Sequence, residues 1–322
     1  MTAKSSVKND ANPSQKIPFV AQCWLSVYNS LFTIKIGNLD IAMTLVSACF
    51  LATVRFIAEY VMVTYFGWPA GDTLTKQAAA SCGSICHSTL LCIGLITAFQ
   101  TQRCDPAARM DESPHWWQQL ANALLQFCTG YMVYDAVINI LYLRWDPQHP
   151  FQIPVLNDDD ILFLVHHIMT STYMTLSRVI QAGHMSAMTC MLLGELTNPL
   201  HNLFMMGEVA MKLDCCNGPM AQRSHAIISV AFAAMYNLFR AIISPPIFVV
   251  VSYCLLVTKK GRTNVPLWIN ILWNFMIWAV VFGSGSWIAK CNGILMDFVS
   301  TQFFANGGDE TGGGQTRVET EL

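Results

Sequence analysis

The stretch AAASCGSICHSTLLCIGLITAF, residues 78–99, contains no ionisable side chain of the Asp, Glu, Lys or Arg type. An α-helix rises about 1.5 Å per residue, so a stretch of this length crosses the roughly 30 Å hydrocarbon core of a bilayer. Six further stretches are comparably long and apolar, and they cover residues 41–64, 119–143, 160–181, 184–206, 224–257 and 266–289. The sequence therefore predicts an all-α membrane protein built as a bundle of about seven transmembrane helices.

The composition leads to the same class of protein. Hydrophobic residues make up 53% of the chain and charged residues only 12%. Soluble domains carry about 25% charged residues, so this chain has too few charges to cover a water-exposed surface of its size. The net charge is −2 and the largest basic cluster is Lys259, Lys260 and Arg262, which excludes nucleic acid as a partner. Most of the twelve cysteines lie in apolar runs, so no disulfide framework is predicted.

Two parts of the chain depart from a simple pattern of spans. Residues 224–257 are too long for one straight crossing, and Pro245-Pro246 removes two backbone donors, which predicts a single kinked helix. Residues 294–304 are apolar but short, which predicts an interfacial helix. The glycine-rich end, residues 307–322, is typical of a disordered tail.

Polar side chains recur at helical spacing on four consecutive predicted spans. An ionisable group at the bilayer centre costs at least about 2.5–3.5 kcal/mol on insertion scales, so such residues need a partner, a cavity or a function. The four sets, one for each span, are Tyr131 and Asp135; His166 and His167; Glu195, Asn198 and Asn202; and Tyr236 and Arg240. Because the least costly arrangement points all four sets inward, the sequence predicts a polar cavity inside the bundle.

The sequence leaves two interpretations of this polar set open. In the first, the side chains hold the helices together, with Asp135 or Glu195 neutralised by Arg240. In the second, an imidazole of the His166-His167 pair takes a proton from a hydroxyl or an amine, while a carboxylate fixes its tautomer.

The positions of the histidines indicate which of them can line the polar cavity and whether they can bind a metal ion. His87 lies on the second predicted span, within reach of the same cavity, although a lone histidine there can equally serve as an interhelical contact. Catalytic metal sites use clustered histidines, and of the eight histidines only His166 and His167 are close in sequence. The sequence therefore predicts no metal site.

Five segments, in order along the chain, resemble the TLC-domain family, the membrane domain shared by ceramide synthases, translocating-chain-associated proteins and lipid-regulating proteins. The segments are His87-Ser88, GYMVYDAV with Asp135, DILFLVHHI with His166 and His167, GELTNPLHN with Glu195, and YNLFRAIISPP with Arg240. The resemblance implies a six-helix TLC domain at 78–290, preceded by one transmembrane helix with its loop at 41–77. The composition adds an N-terminal polar segment at 1–40 and an interfacial segment with a disordered tail at 291–322.

The resemblance also implies a location in the endoplasmic reticulum, with another endomembrane or the plasma membrane as the alternative, and action on lipids or sensing of lipids. In ceramide synthases the paired histidines are followed by an Asp-rich stretch needed for N-acyl transfer. Here the matching segment, GELTNP, has Glu195 as its single acidic residue, and the chain lacks the homeobox-like insert of many such synthases. The resemblance therefore favours the lipid-homeostasis members of the family.

These observations yield a first hypothesis of a protein that binds or regulates membrane lipids, without a cofactor, and that forms a homo-oligomer. The residues expected to bind a lipid or substrate are His87, Tyr131, Glu195, Asn198, Asn202, Tyr236 and Arg240. The alternative is an acyl-CoA-dependent N-acyltransferase of the ceramide-synthase type, with acyl-CoA as co-substrate and with His166, His167 and Asp135 as catalytic residues. A seven-span receptor is a third class, but the chain has no Asp-Arg-Tyr or Asn-Pro-x-x-Tyr element.

Overall fold

The computed structural model describes residues 16–102, 104–139, 156 and 158–304, and these residues fold into a bundle of helices. The helices are α1 (Phe19–Ser30), α2 (Ala42–Phe66), α3 (Thr73–Thr101), α4 (His115–Tyr134), α5 (Asp158–Ile180), α6 (His184–Glu195), α7 (Asn198–Met211), α8 (Pro219–Tyr236), α9 (Ser244–Leu256), α10 (Lys259–Asn264), α11 (Leu267–Gly283) and α12 (Gly285–Phe304). A short hairpin of β1 (Lys35–Ile36) and β2 (Leu39–Asp40) precedes α2. The prediction of an all-α membrane protein is confirmed.

Four helical stretches of the described chain are long and apolar enough to cross a membrane: Ala42–Phe66, Thr73–Thr101, Pro219–Leu256 and Leu267–Thr301. They coincide with the first, second, sixth and seventh predicted spans. The other three predicted spans fall on α4, on α5 and on the consecutive helices α6 and α7. Residues 140–143, at the end of the third predicted span, and the predicted disordered tail at 307–322 lie outside the described residues.

Helices α2 and α4 pack closely at Gly130. A Cβ atom at Gly130 would collide with the backbone carbonyl of Thr44 and would lie 2.7 Å from the Cβ of Ser47. The glycine therefore lets the two helix backbones approach, as small residues do between transmembrane helices. Around this contact α4 lies at the centre of the main core, where Trp117 and Leu124 are fully buried.

Two helices widen into π-helical turns. The first turn, Asp135–Asn139, continues α4, and the second, Asn237–Ile243, joins α8 to α9. The second turn lies just before Pro245-Pro246, which supply no backbone N–H for the preceding carbonyls. The wider turn accommodates the prolines, so the segment Pro219–Leu256 remains one continuous helical stretch, as the sequence predicts.

The C-terminal helix is longer than the sequence analysis suggests. Residues 294–304, predicted as a short interfacial helix, form the second half of α12, which begins at Gly285 after a single turn residue, Ser284. Helix α12 packs along α8, and Trp287 of α12 contacts the ring of Phe232 in a small aromatic core.

The N-terminal region also contains a helix, where the sequence analysis describes only a polar segment. Helix α1 buries Ala21 and Leu25 in the main core, and Trp24 packs edge-on against Phe127 of α4. Because α1 has only 12 residues, a search for membrane-spanning stretches overlooks it.

A polar network ties together the loops at one end of the bundle. Lys260 Nζ lies 2.8 Å from Asp105 Oδ2 and 2.6 Å from Glu112 Oε2. The Asn264 side chain donates to the carbonyl of Ala107 over 2.9 Å. The network joins α10 to the loop between α3 and α4 outside the apolar spans.

Candidate functional site

Five predicted site residues meet where α3, α4, α5 and α6 pack together. Helix α3 supplies His87, α4 with its π-helical turn supplies Tyr131 and Asp135, α5 supplies His167, and the last residue of α6 is Glu195. His87, Tyr131, His167 and Glu195 are buried, and the side chain of Asp135 is 15% exposed. The polar residues therefore lie inside the bundle, on the helices that the sequence analysis assigns to them.

His167 is held at both ring nitrogens. Its Nε2 lies 3.1 Å from Asp135 Oδ2, and its Nδ1 lies 2.6 Å from the backbone carbonyl oxygen of Phe163, one turn earlier on α5. A carboxylate and a carbonyl both accept hydrogen bonds, so an imidazolium that donates from both nitrogens satisfies the two contacts together. The ring orientation of His167 is therefore fixed.

His166 has a different environment. Its ring centroid is 5.7 Å from that of His167 and its ring plane is tilted by 68°, because adjacent helical residues diverge by about 100°. The side chain of His166 is exposed, whereas His167 is buried. Of the two imidazoles, His166 is the one that an incoming molecule can reach.

His87 lies flat against aromatic rings of α4. Its ring centroid is 3.9 Å from that of Tyr131 with an interplanar angle of 9°, and 5.1 Å from that of Phe127. The Tyr131 hydroxyl is 2.8 Å from Ser84 Oγ, which fixes the phenol. His87 Nε2 lies 3.9 Å from Glu195 Oε2, and neither ring nitrogen of His87 has a hydrogen-bond partner among the described residues.

The junction of α6 and α7 places Glu195 and Asn198 together. Pro199, in the first turn of α7, supplies no N–H, so one helix ends at Glu195 and the next begins at Asn198. Asn198 Nδ2 donates to Glu195 Oε2 over 2.7 Å. Asn202 Nδ2 donates to the Asn198 carbonyl over 2.9 Å, so it bonds within its own helix rather than to the buried acids.

Arg240 approaches the same junction from the second π-helical turn. Its Nη2 donates to the carbonyl of Gly194 over 2.9 Å, and its guanidinium carbon is 5.7 Å from the centre of the Tyr236 ring. Arg240 is also within electrostatic range of His166 and Glu195. The sequence leaves open that Arg240 is the partner of a buried carboxylate, but its hydrogen bond goes to the backbone carbonyl of Gly194, beside Glu195. The partner of Asp135 is His167.

One residue that the sequence analysis passes over lies among these groups. Cys128 of α4 is buried, and its Sγ, a nitrogen of His87 and a carboxylate oxygen of Glu195 all lie within 4.8 Å of one another. These donor types are common zinc ligands. The spacing of residues in the sequence could have indicated Cys128, because it precedes Tyr131 by three residues and so lies on the same face of α4.

The helices that form this site match a known protein family. A family model described as the TLC domain matches residues 77–291, which contain every residue of the site. The search of curated proteins finds no match to the chain. Because the matched segment covers well over half of the chain, the protein belongs to the TLC-domain family of membrane proteins.

Proposed function

We propose that the protein binds membrane lipids and acts in lipid homeostasis, with the lipid headgroup held by polar residues inside the bundle. The chain is an integral membrane protein, and its family is involved in lipid metabolism or sensing. The observation that carries the proposal is the incomplete hydrogen bonding of the Arg240 guanidinium. Its Nη2 donates to a backbone carbonyl, while its Nε is buried and has no hydrogen-bond partner among the described residues. A guanidinium with an unused donor suits the oxygens of an anionic headgroup.

Access to Arg240 supports this role. Asn198, Asn202 and Arg240 are half-buried, whereas His87 and Glu195 are buried. The amides and the guanidinium therefore form the outer part of the polar region, and the histidine and the acid form its inner part. A headgroup that enters from the accessible side meets hydrogen-bond donors first.

Apolar surface is available for acyl chains. Helix α2 leaves Phe56, Ile57 and Tyr60 exposed, as expected for a helix that faces hydrocarbon. Between α2 and α3 lies an apolar hollow of about 410 Å³, lined by side chains that include Val54, Met62 and Cys82. These surfaces complement the apolar part of a lipid.

A second candidate function is acyl-CoA-dependent N-acyl transfer, and the contact between His167 and Asp135 favours it. A histidine oriented by a carboxylate at 3.1 Å is a common arrangement for acid–base catalysis. In this reaction an amine attacks the thioester carbonyl, the C–N bond forms and the C–S bond breaks. The accessible His166 takes the amine proton and returns it to the CoA thiolate, while His167 and Asp135 orient the pair.

The test is lipid analysis of the purified protein by native mass spectrometry and by lipid extraction, with wild type beside Arg240→Gln. We expect the variant to lose most of the co-purifying lipid. The matched control is Arg223→Gln, because Arg223 is an exposed arginine of α8, on the same helical stretch. Equal lipid content in wild type and Arg240→Gln would contradict the binding proposal.

A second experiment distinguishes a lipid-binding protein from an acyltransferase. Wild type and the double variant His166→Ala/His167→Ala are incubated with acyl-CoA and candidate long-chain amines, and the release of free CoA is measured. Bound lipid without CoA release supports the lipid-binding protein. Release that depends on the two histidines would make the protein an acyltransferase.

The proposal includes a location and an assembly state. We place the protein in the endoplasmic reticulum membrane, where lipid-modifying TLC-domain proteins are expected, and infer that it forms a homo-oligomer. Imaging of a tagged full-length chain tests the location. Mass measurement in detergent tests the assembly state.

A further inference from the structure

We propose that His87, Cys128 and Glu195 form a binding site for a transition-metal ion, with Zn²⁺ as the metal that the donor set fits best. The site lies at the inner end of the polar region. It goes beyond lipid binding, because neither a headgroup site nor an acyltransferase requires it. The sequence predicts no metal because, of the eight histidines, only His166 and His167 are close in sequence, and neither is one of these three ligands.

The geometry brings three different donor atoms to one point from three helices. His87 belongs to α3, Cys128 to α4 and Glu195 to the end of α6, and their ligand atoms all lie within 4.8 Å of one another. Zinc bonds of about 2.0–2.3 Å in tetrahedral geometry place ligand atoms roughly 3.5 Å apart. The 3.9 Å distance between His87 Nε2 and Glu195 Oε2 is already close to that value.

The buried imidazole of His87 supplies an independent observation. His87 is 0% exposed, and neither of its ring nitrogens has a hydrogen-bond partner among the described residues. Buried polar atoms in native proteins are nearly always paired, since an unpaired one loses its hydration without compensation. A metal ion bound to one nitrogen would provide the missing partner.

Charge balance favours a divalent ion at this position. A neutral imidazole, a thiolate and a carboxylate carry two negative charges, and a dication brings the charge of the ion and its three ligands to zero, with Arg240 outside this count although within electrostatic range of Glu195. Net charge is strongly unfavourable in the interior of a membrane protein, so a neutral assembly of ion and ligands suits the location. Metal binding would accompany loss of the Cys128 proton.

The surrounding residues orient the ligands. Asn198 donates to Glu195 Oε2 over 2.7 Å, and the stacked ring of Tyr131 holds the plane of His87. Contacts of this kind fix the direction of metal ligands. The mixture of nitrogen, sulfur and oxygen donors suits zinc, whereas calcium and magnesium prefer oxygen alone. Three protein ligands leave a fourth zinc position for water or another ligand.

The first test is elemental analysis of the purified full-length protein by inductively coupled plasma mass spectrometry. We expect about one zinc ion per chain in wild type, as for a single three-ligand site. The variants Cys128→Ser and Glu195→Gln are close in size to the native side chains. His87→Phe is larger than histidine but keeps the aromatic stacking on Tyr131. Each of the three variants should reduce the zinc content to below about a tenth of the wild-type value.

The matched control is Cys92→Ser, because Cys92 is a buried cysteine of α3 that is not one of the three ligands. It should retain the wild-type zinc content. Wild-type protein without zinc, even after incubation with zinc, would overturn the proposal. A Cys128→Ser protein that retains full zinc content would overturn it as well.

A spectroscopic measurement tests the site without substituting any of the three ligands, so it remains possible if one of those variants does not fold. Cobalt(II) is added to the otherwise unchanged protein carrying Cys215→Ser and Cys216→Ser. These substitutions remove the exposed thiol of Cys215 and the half-buried thiol of Cys216, whose sulfurs are 3.3 Å apart. A thiolate-to-cobalt charge-transfer band, displaced by zinc, supports the site. Absence of the band in this folded background overturns it. Neither readout involves lipid or acyl-CoA, so a failure here is distinct from a failure of the proposed function.

Discussion

Asp135 Oδ2 and His167 Nε2 lie 3.1 Å apart and join the π-helical end of α4 to the middle of α5. Both side chains are largely removed from solvent, at 15% and 5% exposure. Because the second nitrogen of His167 faces the Phe163 carbonyl, the ring cannot turn away without losing two hydrogen bonds. The pair therefore fixes how α4 and α5 are placed against each other.

The variant Asp135→Asn should destabilise the protein by about 1–3 kcal/mol, because it removes the carboxylate that faces a buried imidazole. The measurement is the thermal unfolding midpoint in detergent. The control is Asp297→Asn, because Asp297 is an exposed acid of α12. A variant as stable as wild type would show that the contact contributes nothing to folding.

Gly130→Ala should destabilise the contact between α2 and α4, because the added Cβ would meet the Thr44 carbonyl and the Ser47 side chain. Overpacking of this kind costs about 1–3 kcal/mol, which outweighs the helix-propensity gain of up to about 1 kcal/mol. The folded fraction is read by size-exclusion chromatography after heating. Gly293→Ala on α12 is the control, because nothing lies within 4 Å of a Cβ atom there. Equal heat resistance of the two variants would contradict the assigned contact.

Lys260 should give the loop network a stability that declines at alkaline pH. Hydrogen bonds to Asp105 and then to Glu112 raise the pKa of Lys260 above its ordinary value of 10.5. A raised pKa in the folded state means that the stabilisation is complete below pH 10.5 and disappears as the pH rises through the folded-state pKa.

The variant Lys260→Met should therefore lower stability by about 0.5–1 kcal/mol at neutral pH, a modest value because the lysine is partly exposed. Its unfolding midpoint, followed from about pH 8 to about pH 12 so that the range passes above the ordinary lysine pKa, should approach that of wild type at the alkaline end. Lys259→Met is the control, since Lys259 is the exposed neighbour. A constant difference across the whole range would show that the ion pairs are not the cause.

Cys215 and Cys216 should differ in reactivity, although their sulfurs are 3.3 Å apart. Partial burial, followed by the hydrogen bond with Cys215, raises the pKa of the Cys216 thiol to about 11. Because the thiolate is the reactive form, alkylation near neutral pH should modify Cys215 first and reach Cys216 only as the pH rises. Peptide mapping after brief alkylation at several pH values gives the order. Modification of Cys216 before Cys215 at neutral pH would contradict the assignment.

The parts of the fold that local hydropathy determines can be predicted from the sequence. Apolar stretches show where helices form, because each one can satisfy its own backbone and bury its side chains without reference to the others. Asp135, His167 and Arg240 also stand out, since an ionisable residue within an apolar stretch is rare. Which partner each one takes depends on three-dimensional packing, so the hydrogen bond from Arg240 to Gly194 could not be foreseen.

Two features escape sequence reasoning for physical reasons. Helix α1 is too short to register as a span, and its stability comes from tertiary contacts such as that of Trp24 with Phe127. Cys128 looks like any small apolar residue of a core, and only the approach of α3 and α6 brings it near His87 and Glu195. The three-residue spacing from Cys128 to Tyr131 indicates a shared helix face, but no spacing pattern links donor atoms that lie on separate helices.

Asp135 and Arg240, an acidic and a cationic residue of the site, each lie in one of the two π-helical turns of the described chain. A π-helical turn contains one more residue than the corresponding α-helical turn. The extra residue rotates the side chains that follow it by roughly a quarter turn around the helix axis. Deletion of one residue from Asn237–Ile243 would return the backbone to ordinary winding and rotate Arg240 away from Gly194. The extra residue in each π-helical turn thus determines the direction in which the charged side chains of the site point, and a hydropathy pattern does not show it.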